Sequence, residues 1–302
     1  MSTSGLVIVD KSGGMTSHDV VARVRRLAGT SKVGHAGTLD PMATGVLVVG
    51  VEKATRLLGF LTLTEKEYAA TIRLGQSTST DDAEGEITGT ASASRVSAEA
   101  LAEAVAGLTG EIQQVPPAVS AIKVDGQRAY RLTRAGAAPE LKARPVTVYE
   151  FTVIAVRRDG DLVDVDATVR CSSGTYIRAL ARDLGAALGT GGHLTRLRRT
   201  RVGGYRVEDA RTLERLADRF EVLSLAQAAS AAFPRRNLSA DEARRLAHGG
   251  RLACAGASAQ TAAAAASPAA SPGPTAAYAP DGTLIALVTE ESGQARPLVV
   301  FA

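Results

Sequence analysis

The sequence predicts an α+β fold in which a mixed, largely antiparallel sheet carries flanking helices and is followed by a small C-terminal domain. Three observations favour this class. Segments with strand and helix periodicity follow each other without the regular strand–helix–strand alternation of a parallel sheet. Two long β-rich segments, residues 144–157 and 162–171, flank an Asp-Gly-Asp sequence that is typical of a hairpin turn. The composition also changes after about residue 230.

The N-terminal part begins with a short buried strand, GLVIVD, at residues 5–10. Thr16 and Ser17 can cap a helix whose valines and Leu27 recur at helical spacing. A glycine-rich loop follows this helix. Beyond the loop, the pattern predicts a strand at 46–50, a helix at 52–61, a strand at 68–74 and a polar loop at 77–89.

The middle of the chain continues this mixture of elements. Ser97 opens an alanine-rich helix that precedes the two β-rich segments. Residues 175–188 have helical periodicity and end at a Gly-Thr-Gly-Gly sequence, which stops a helix. Residues 194–202 return to the pattern of a strand.

The C-terminal part divides into short pieces. Residues 241–248 predict a helix, and DGTLIALV and PLVVF predict two strands. Between them, residues 253–277 are rich in Ala, Ser and Pro and predict a disordered insert. We therefore expect one domain of residues 1–228 and a small second domain of residues 229–302.

The composition limits the classes of function. The formal net charge is +4 and the basic residues are mostly Arg, which matches phosphate oxygens well, although a GC-rich genome would also encode such a chain. The two cysteines, Cys171 and Cys254, form no spaced pattern, which disfavours a disulfide framework or a zinc knuckle. The first residues do not have the pattern of a signal peptide, and no apolar run is long enough to span a membrane. We expect a cytoplasmic protein.

Several familiar catalytic motifs are absent. The segment GHAGTLD lacks the Lys and Ser/Thr of a phosphate-binding loop, and the four histidines have no metal-ligand spacing, so we expect no cofactor and no metal. Ser17-His18-Asp19 are adjacent and cannot form a catalytic triad with one another. The acidic cluster Asp81, Asp82 and Glu84 lies in the predicted polar loop, and we expect it to form a solvated surface.

One carboxylate remains in an unusual position. Asp40 ends the glycine-rich loop, is followed by Pro41, and precedes the predicted strand at 46–50. Taken alone, an Asp-Pro pair is ordinary turn chemistry, because the carboxylate accepts a backbone N–H and proline presets φ. The segments around it change this interpretation.

Six segments in order resemble the bacterial tRNA pseudouridine-55 synthases of the TruB type, and they span roughly residues 5–205. They are LVIVDKSGGMTSHDVVARVRR, GHAGTLDPMATGVLVVGVEKATR, KEYAATIRLGQSTSTDDAEG, VPPAVSAIKVDGQRAYRLTRAG, ARPVTVYEF and CSSGTYIRALARDLGAALGTGGHLTRLRR. The resemblance implies the pseudouridine synthase fold. It also implies isomerisation of one uridine in the T-arm loop of tRNA by base flipping, a redox-neutral reaction that needs no cofactor or metal.

The resemblance assigns roles to individual residues. Asp40 falls on the essential aspartate of the family, which can act as a nucleophile or as a base, and the sequence leaves both routes open. Nearby glycines, among them Gly45, would let the backbone approach RNA closely. Other family positions correspond to a base-stacking Tyr68, a pocket residue Tyr176, an Asp40-pairing Arg178, a pocket-lining Leu197 and an RNA-contacting His35. Without the resemblance, each of these five would pass for an ordinary core, loop or surface residue.

The last inferences concern RNA binding. Four arginines close together, Arg196, Arg198, Arg199 and Arg201, predict a stripe of phosphate contacts, although a solvated strand edge would look the same. The C-terminal domain resembles the PUA-like RNA-binding module of relatives but is short and interrupted, and we expect it to contact tRNA away from the flipped base. We expect a monomeric enzyme. The alternative is a non-catalytic tRNA-binding or folding chaperone, which the intact Asp40 motif disfavours.

Overall fold

The computed structural model describes residues 4–119, 123–124, 127–128, 141–254 and 273–301. This part contains seven α-helices: α1 Ser17–Ala28, α2 Leu58–Thr62, α3 Ala98–Gly107, α4 Ile177–Ala187, α5 Leu213–Asp218, α6 Leu225–Ala232 and α7 Ala240–Ala247. Short 3₁₀ segments cover Glu52–Leu57 and Val207–Asp209. Among these described helices, none is both long and apolar enough to cross a membrane.

Nineteen strands make up the rest of the regular structure in the described ranges. The first eleven are β1 Gly5–Lys11, β2 Val33–Ala36, β3 Thr44–Val51, β4 Lys66–Leu74, β5 Gln76–Thr78, β6 Ile87–Thr90, β7 Gly110–Gln114, β8 Lys123–Val124, β9 Gln127–Arg128, β10 Arg144–Asp159 and β11 Leu162–Cys171. The others are β12 Gly192–Val202, β13 Tyr205–Arg206, β14 Leu223–Ser224, β15 Arg235–Asn237, β16 Leu252–Ala253, β17 Thr275–Tyr278, β18 Leu284–Glu291 and β19 Gln294–Val300.

A ten-stranded sheet forms the centre of the molecule. Its strand order is β14-β1-β3-β12-β4-β11-β10-β7, with β13 paired to β12 and β2 paired to β3. Among the described strands of this sheet, β3 and β12 are the one parallel pair, and the other pairings are antiparallel. The α+β class with a largely antiparallel sheet is therefore confirmed, including the hairpin of β10 and β11 around Gly160.

Local sequence explains helix α1. The Thr16 hydroxyl accepts a hydrogen bond from the Asp19 N–H at 3.1 Å, and the Asp19 carboxylate accepts one from the Thr16 N–H at 2.9 Å. This reciprocal pair satisfies two backbone donors that the first turn of a helix leaves free. At the other end, Gly29 takes a left-handed conformation with φ of 64° and ends the helix. The predicted helix is confirmed.

A five-stranded second sheet packs against the first. Its order is β15-β17-β18-β19-β16, and Tyr278 and Leu284 from it share one apolar cluster with Leu6 and Val46 of strands β1 and β3. Alternate residues of β1 and β3, such as Val7, face the helices on the other side. Both faces of these two strands are therefore buried, which is why their central residues, 6–9 and 46–49, are all apolar.

Three sequence predictions about local structure need correction. The polar loop predicted at 77–89 contains most of a small two-stranded sheet, β5 with β6. The glycine-rich loop includes strand β2. The predicted insert at 253–277 begins at Ala253 of β16 and ends within β17, while the disorder prediction for residues 255–272 lies outside the described residues. Strands this short carry no readable alternation.

Candidate active site

A cavity of about 380 Å³ opens where the loop before β3, the start of β4, the start of α4 and strand β12 meet. Six residues named from the sequence line it: Asp40, Tyr68, Tyr176, Arg178, Leu197 and Arg199. These residues come from four separate segments of the chain, and the fold brings them together around one space. Such a concave site with a few convergent polar groups is what a small ligand or a single nucleotide base requires.

Asp40 and Arg178 form a two-pronged ion pair at this cavity. The Arg178 Nε donates to Asp40 Oδ2 at 2.9 Å, and Nη2 donates to Asp40 Oδ1 at 3.2 Å. The Arg178 side chain is only 4% exposed, whereas that of Asp40 is 34% exposed. The planar guanidinium therefore orients the carboxylate from the protein side and leaves part of it open to the cavity.

The remaining donors of Arg178 are also engaged. Nη1 donates to the Thr80 carbonyl at 2.7 Å and lies 3.5 Å from Asp82 Oδ2, and Nη2 donates to the Val119 carbonyl at 2.9 Å. The Asp82 side chain is 4% exposed, so the expectation of a solvated acidic loop is wrong for this residue. Its Oδ1 also accepts hydrogen bonds from the Thr80 hydroxyl and the Glu84 N–H. A buried guanidinium needs such a compensating carboxylate.

The loop that carries Asp40 is held in place by hydrogen bonds from Lys11 and Ser17. The fully buried ammonium of Lys11 donates to the Pro41 carbonyl at 3.0 Å and to the Met15 carbonyl at 2.7 Å. Burial lowers the pKa of Lys11 to about 8. On the other side of Asp40, the Ser17 hydroxyl donates to the Leu39 carbonyl and accepts from the Leu39 N–H. We missed both roles in the sequence, where the only signal for Lys11 is a lysine closing an apolar strand.

Tyr68 and Tyr176 both line the cavity. Tyr68 is buried on β4, pairs with Arg199 of β12 in the sheet register, and has its pKa raised by burial. Tyr176 immediately precedes helix α4, and Gln114 binds its backbone by accepting from its N–H at 2.8 Å and donating to its carbonyl at 3.1 Å. Gln114 is a third residue, after Lys11 and Ser17, whose role the sequence did not reveal.

With this geometry established, comparisons identify the family. The family model described as "TruB family pseudouridylate synthase (N terminal domain)" matches residues 25–177. The chain belongs to the TruB family. Two further models complete the match: "tRNA pseudouridylate synthase B C-terminal domain" over residues 178–231, and "tRNA Pseudouridine synthase II, C terminal" over residues 233–302.

Curated relatives of this TruB-family chain share most of its sequence. Proteins named "tRNA pseudouridine synthase B" are 63% identical in Thermobifida fusca, with 99% of this chain and 98% of the relative covered, and 57% identical in Streptomyces coelicolor, with 98% and 97% covered. The same name is carried by a 62% identical protein of Arthrobacter sp., with 99% and 97% covered. The chain is therefore a pseudouridine synthase, an isomerase.

Solved structures agree with this assignment of the fold. The chain aligns with one from "Structure of H/ACA RNP bound to a substrate RNA containing 2'-deoxyuridine" at a TM-score of 0.71 and 25% identity, covering 99% of this chain and 85% of that chain. It also aligns with a chain of "Crystal Structure of a Cbf5-Nop10-Gar1 Complex" at a TM-score of 0.70 and 26% identity, with 99% and 84% covered.

His35 of this TruB-family enzyme lies beside the cavity and does not line it. Its ring meets that of His18 edge-on, with centroids 5.8 Å apart, and its Nδ1 is buried without a hydrogen-bond partner among the described residues. Burial lowers the pKa of His35. In the described residues, no group of three or more His, Cys, Asp or Glu side chains comes together as metal ligands would.

The four arginines predicted to contact phosphate do not form one exposed stripe. Arg199 is buried and lines the cavity, so it does not belong to an exposed stripe. Arg198 forms a two-pronged pair with Asp10. Arg201 pairs with Glu65, which precedes β4, and with Glu67 on β4. Arg196 is exposed. Alternation along β12 directs Arg199 to the face opposite that of Arg198, and the irregularity between Arg199 and Arg201 places Arg201 on the outward face beside Glu67.

Proposed function

We propose that this TruB-family enzyme converts one uridine in the T-arm loop of tRNA, at position 55, to pseudouridine, with Asp40 as the catalytic carboxylate. The observation that carries the proposal is the ion pair in which Arg178 presents Asp40 to the cavity. Support for tRNA as the substrate comes from the names of relatives up to 63% identical over nearly the whole chain.

The cavity suits a base that has left the RNA stack. Flipping a base out of a folded loop costs a few kcal/mol, and stacking on an aromatic ring returns about 1–3 kcal/mol. Tyr68 offers such a ring in the cavity wall, and Leu197 of the neighbouring strand adds an apolar contact. The uracil would then lie between these side chains, with its ribose toward Asp40.

Asp40 has two ways to act on that ribose. Its carboxylate can attack the sugar or the base as a nucleophile, or it can take a proton from the ribose as a base. In either route the N-glycosidic bond breaks, the uracil turns, and its C5 joins the ribose C1′. The product is an isomer of the substrate, so the reaction consumes nothing else. Arg178 keeps the carboxylate aligned in both routes.

The C-terminal unit, residues 229–302, completes the proposal as a PUA-like RNA-binding domain. It carries exposed arginines such as Arg235 and Arg244, which can contact phosphate. Arg196 of the large sheet is the member of the predicted stripe most open to RNA. We place the enzyme in the cytoplasm, where tRNA is used, and we propose that it acts as a monomer.

Two short RNA hairpins test this function. One carries the sequence of a tRNA T arm and the other that of an anticodon arm, and pseudouridine is measured in nuclease digests after incubation with the enzyme. We expect one pseudouridine per T-arm hairpin and none in the anticodon hairpin. Conversion of neither hairpin nor intact tRNA would contradict the proposed function, and conversion of the anticodon hairpin alone would contradict the proposed site.

A further inference from the structure

Two buried cations lie at the floor of the cavity, and the function described so far does not use them. Lys66 of β4 and Arg199 of β12 are 6% and 1% exposed, and both line the cavity. They converge on the same point, because a Cβ added to Gly37 would lie 3.6 Å from both Arg199 Nη1 and Lys66 Cε.

Neither cation has a carboxylate partner among the described residues. The Lys66 ammonium donates to the carbonyls of Thr62 and Thr64 at 2.7 and 2.5 Å. The Arg199 guanidinium donates to the carbonyls of Val46, Thr38 and Gly37, and it also interacts with the Tyr68 hydroxyl. Two like charges buried together without a counter-ion are unfavourable.

The acidic residues next to Lys66 in the sequence do not compensate this charge. Glu65 binds Arg170 and Arg201, and Glu67 also binds Arg201, on the outward face of the sheet. Alternation along β4 directs Lys66 to the opposite face, toward the cavity. The carbonyls hold two of the three N–H donors of the ammonium, and the third has no partner among the described residues. The site is thus arranged to receive an anion.

The position of these cations favours the uracil ring over a phosphate group as that anion. Arg199 is the register partner of Tyr68, and Lys66 precedes Tyr68 by two residues on the same face of β4. A base stacked on Tyr68 would therefore bring its polar edge to the cations. The ribose-phosphate backbone stays at the rim with the rest of the RNA, whereas both cations lie at the buried end.

We propose that Lys66 and Arg199 form a cationic floor that stabilises the negative charge on the uracil ring when its N-glycosidic bond breaks. The inference rests on the proposed function. The electron pair of the broken N1–C1′ bond goes to the ring and is spread over N1 and the two carbonyl oxygens. After the ring turns, C5 bonds to C1′, C5 loses its proton to a base, and N1 gains a proton. Charge that develops only as the bond breaks is what a preorganised cation stabilises selectively.

The first experiment is the replacement Lys66→Gln, measured in single turnover with saturating enzyme and a T-arm hairpin. Glutamine keeps a donor for the Thr62 and Thr64 carbonyls but removes the charge. We expect the rate to fall about 10²-fold with little change in RNA affinity. Lys53→Gln is the control, since the Lys53 ammonium also donates to a backbone carbonyl, that of Phe301 at 2.9 Å, but far from the cavity. Its rate should match that of the unmodified enzyme.

The second experiment separates charge stabilisation from a structural role. The second substrate is a hairpin with 5-fluorouridine at the target position, and the rate at which the enzyme consumes this nucleotide is measured. Fluorine at C5 withdraws electrons and stabilises the uracil anion, so this rate should depend less on Lys66. We expect Lys66→Gln to slow this consumption several-fold less than it slows uridine conversion. Equal slowing of both substrates would overturn the proposal and leave Lys66 as a structural residue.

The pH dependence gives a third readout. Burial, followed by the neighbouring Arg199 charge, lowers the pKa of Lys66 to about 8, so the ammonium is charged below that pH and neutral above it. Cys171 of β11 also acts on it, and Tyr68, Tyr176, Asp40 and Arg178 line the same cavity. We expect kcat/KM to fall as the pH rises through about 8, and Lys66→Arg to keep its activity there. A Lys66→Arg profile that falls in the same way would overturn the proposal, while an inactive unmodified enzyme would instead contradict the proposed function.

Discussion

At the scale of single residues, Arg178 has a carboxylate on each of two sides. Asp40 faces the cavity and Asp82 lies behind, with ion-pair distances of 2.9 and 3.5 Å. Charged groups this deeply buried keep a fixed geometry only when their partners satisfy them. The resemblance to the family suggested the first pairing. Nothing in the sequence revealed the second, because an acidic turn that folds under an arginine has the same composition as a solvated one.

The two parallel hydrogen bonds from Arg178 to Asp40 should contribute more to kcat than the positive charge alone. Arg178→Lys keeps one positive charge but cannot make two parallel bonds to Asp40, so we expect kcat to fall about 10²-fold while RNA affinity stays within about threefold. Steady-state kinetics with tRNA measure this. Arg73→Lys is the matched control, because Arg73 forms an equivalent two-pronged pair with Asp164 on the outer face of the sheet. Unchanged turnover in Arg178→Lys would contradict the positioning role.

Asp82 should act through Arg178. In Asp82→Asn an NH₂ group replaces one carboxylate oxygen, so a guanidinium N–H of Arg178 either meets another donor or loses its partner. We therefore expect the unfolding free energy to fall by about 1–3 kcal/mol and kcat to be lower. Urea denaturation and kinetics measure the two effects. Asp164→Asn removes a more exposed ion pair and should lose no more than about 1 kcal/mol. An Asp82→Asn protein as stable and active as the unmodified one would disprove this role.

At the scale of elements, the strand after the catalytic loop depends on one glycine. Gly45 has a φ of 97°, and a Cβ there would lie 2.2 Å from the Arg199 carbonyl oxygen. From the sequence we expected Gly45 to let the backbone approach RNA closely. The structure instead shows the backbone of β12 at that position, where the parallel pairing of β3 and β12 begins.

Gly45→Ala should therefore damage both fold and site. Backbone strain at a positive φ costs about 1–3 kcal/mol, and the clash with Arg199 adds to it, so we expect a clearly lower Tm and a lower kcat. Gly59→Ala is the control, because Gly59 lies in helix α2 with no atom within 4 Å of its added Cβ. That variant should be as stable as the unmodified enzyme or slightly more so. Equal melting temperatures for the two variants would contradict this account.

Elements differ in how far their sequences predict them. Helix α1 and the hairpin of β10 and β11 were readable, since a capping box, a helical apolar stripe and an Asp-Gly turn are local signals. Strands β2, β5 and β6 were not, because three or four residues cannot show a periodicity. The parallel pairing of β3 with β12 joins residues about 150 apart in the chain, and local patterns do not specify such pairings.

At the scale of the whole molecule, the two sheets share a core. The sequence led us to expect an accessory C-terminal domain, but Tyr278 and Leu287 pack with Leu6 and Val48 of the strands on either side of the catalytic loop. The Tyr278 hydroxyl also donates to the Ala226 carbonyl at 3.0 Å. The second sheet therefore supports the strands that position Asp40.

Removal of residues 233–302 should then abolish turnover by destabilising the fold. Each large apolar side chain that loses its cover costs about 1.5–3 kcal/mol, and several together approach the entire stability of a domain. Replacement of residues 256–271 by a short Gly/Ser linker is the control, since this segment is rich in Ala, Ser and Pro and low in complexity. We expect normal turnover from the linker variant. A truncated enzyme that melts at the unmodified temperature would contradict the supporting role of the second sheet.

The most direct test of the central claim maps pseudouridine at nucleotide resolution in an unmodified tRNA transcript after incubation with the unmodified enzyme or with Asp40→Asn. The amide keeps the shape of the side chain but removes the nucleophile or base, while the contacts that hold RNA remain. We predict one pseudouridine, in the T-arm loop, with the unmodified enzyme, and none with Asp40→Asn, which should bind tRNA with nearly unchanged affinity. Appreciable pseudouridine formation by a sequence-verified Asp40→Asn enzyme would contradict the account.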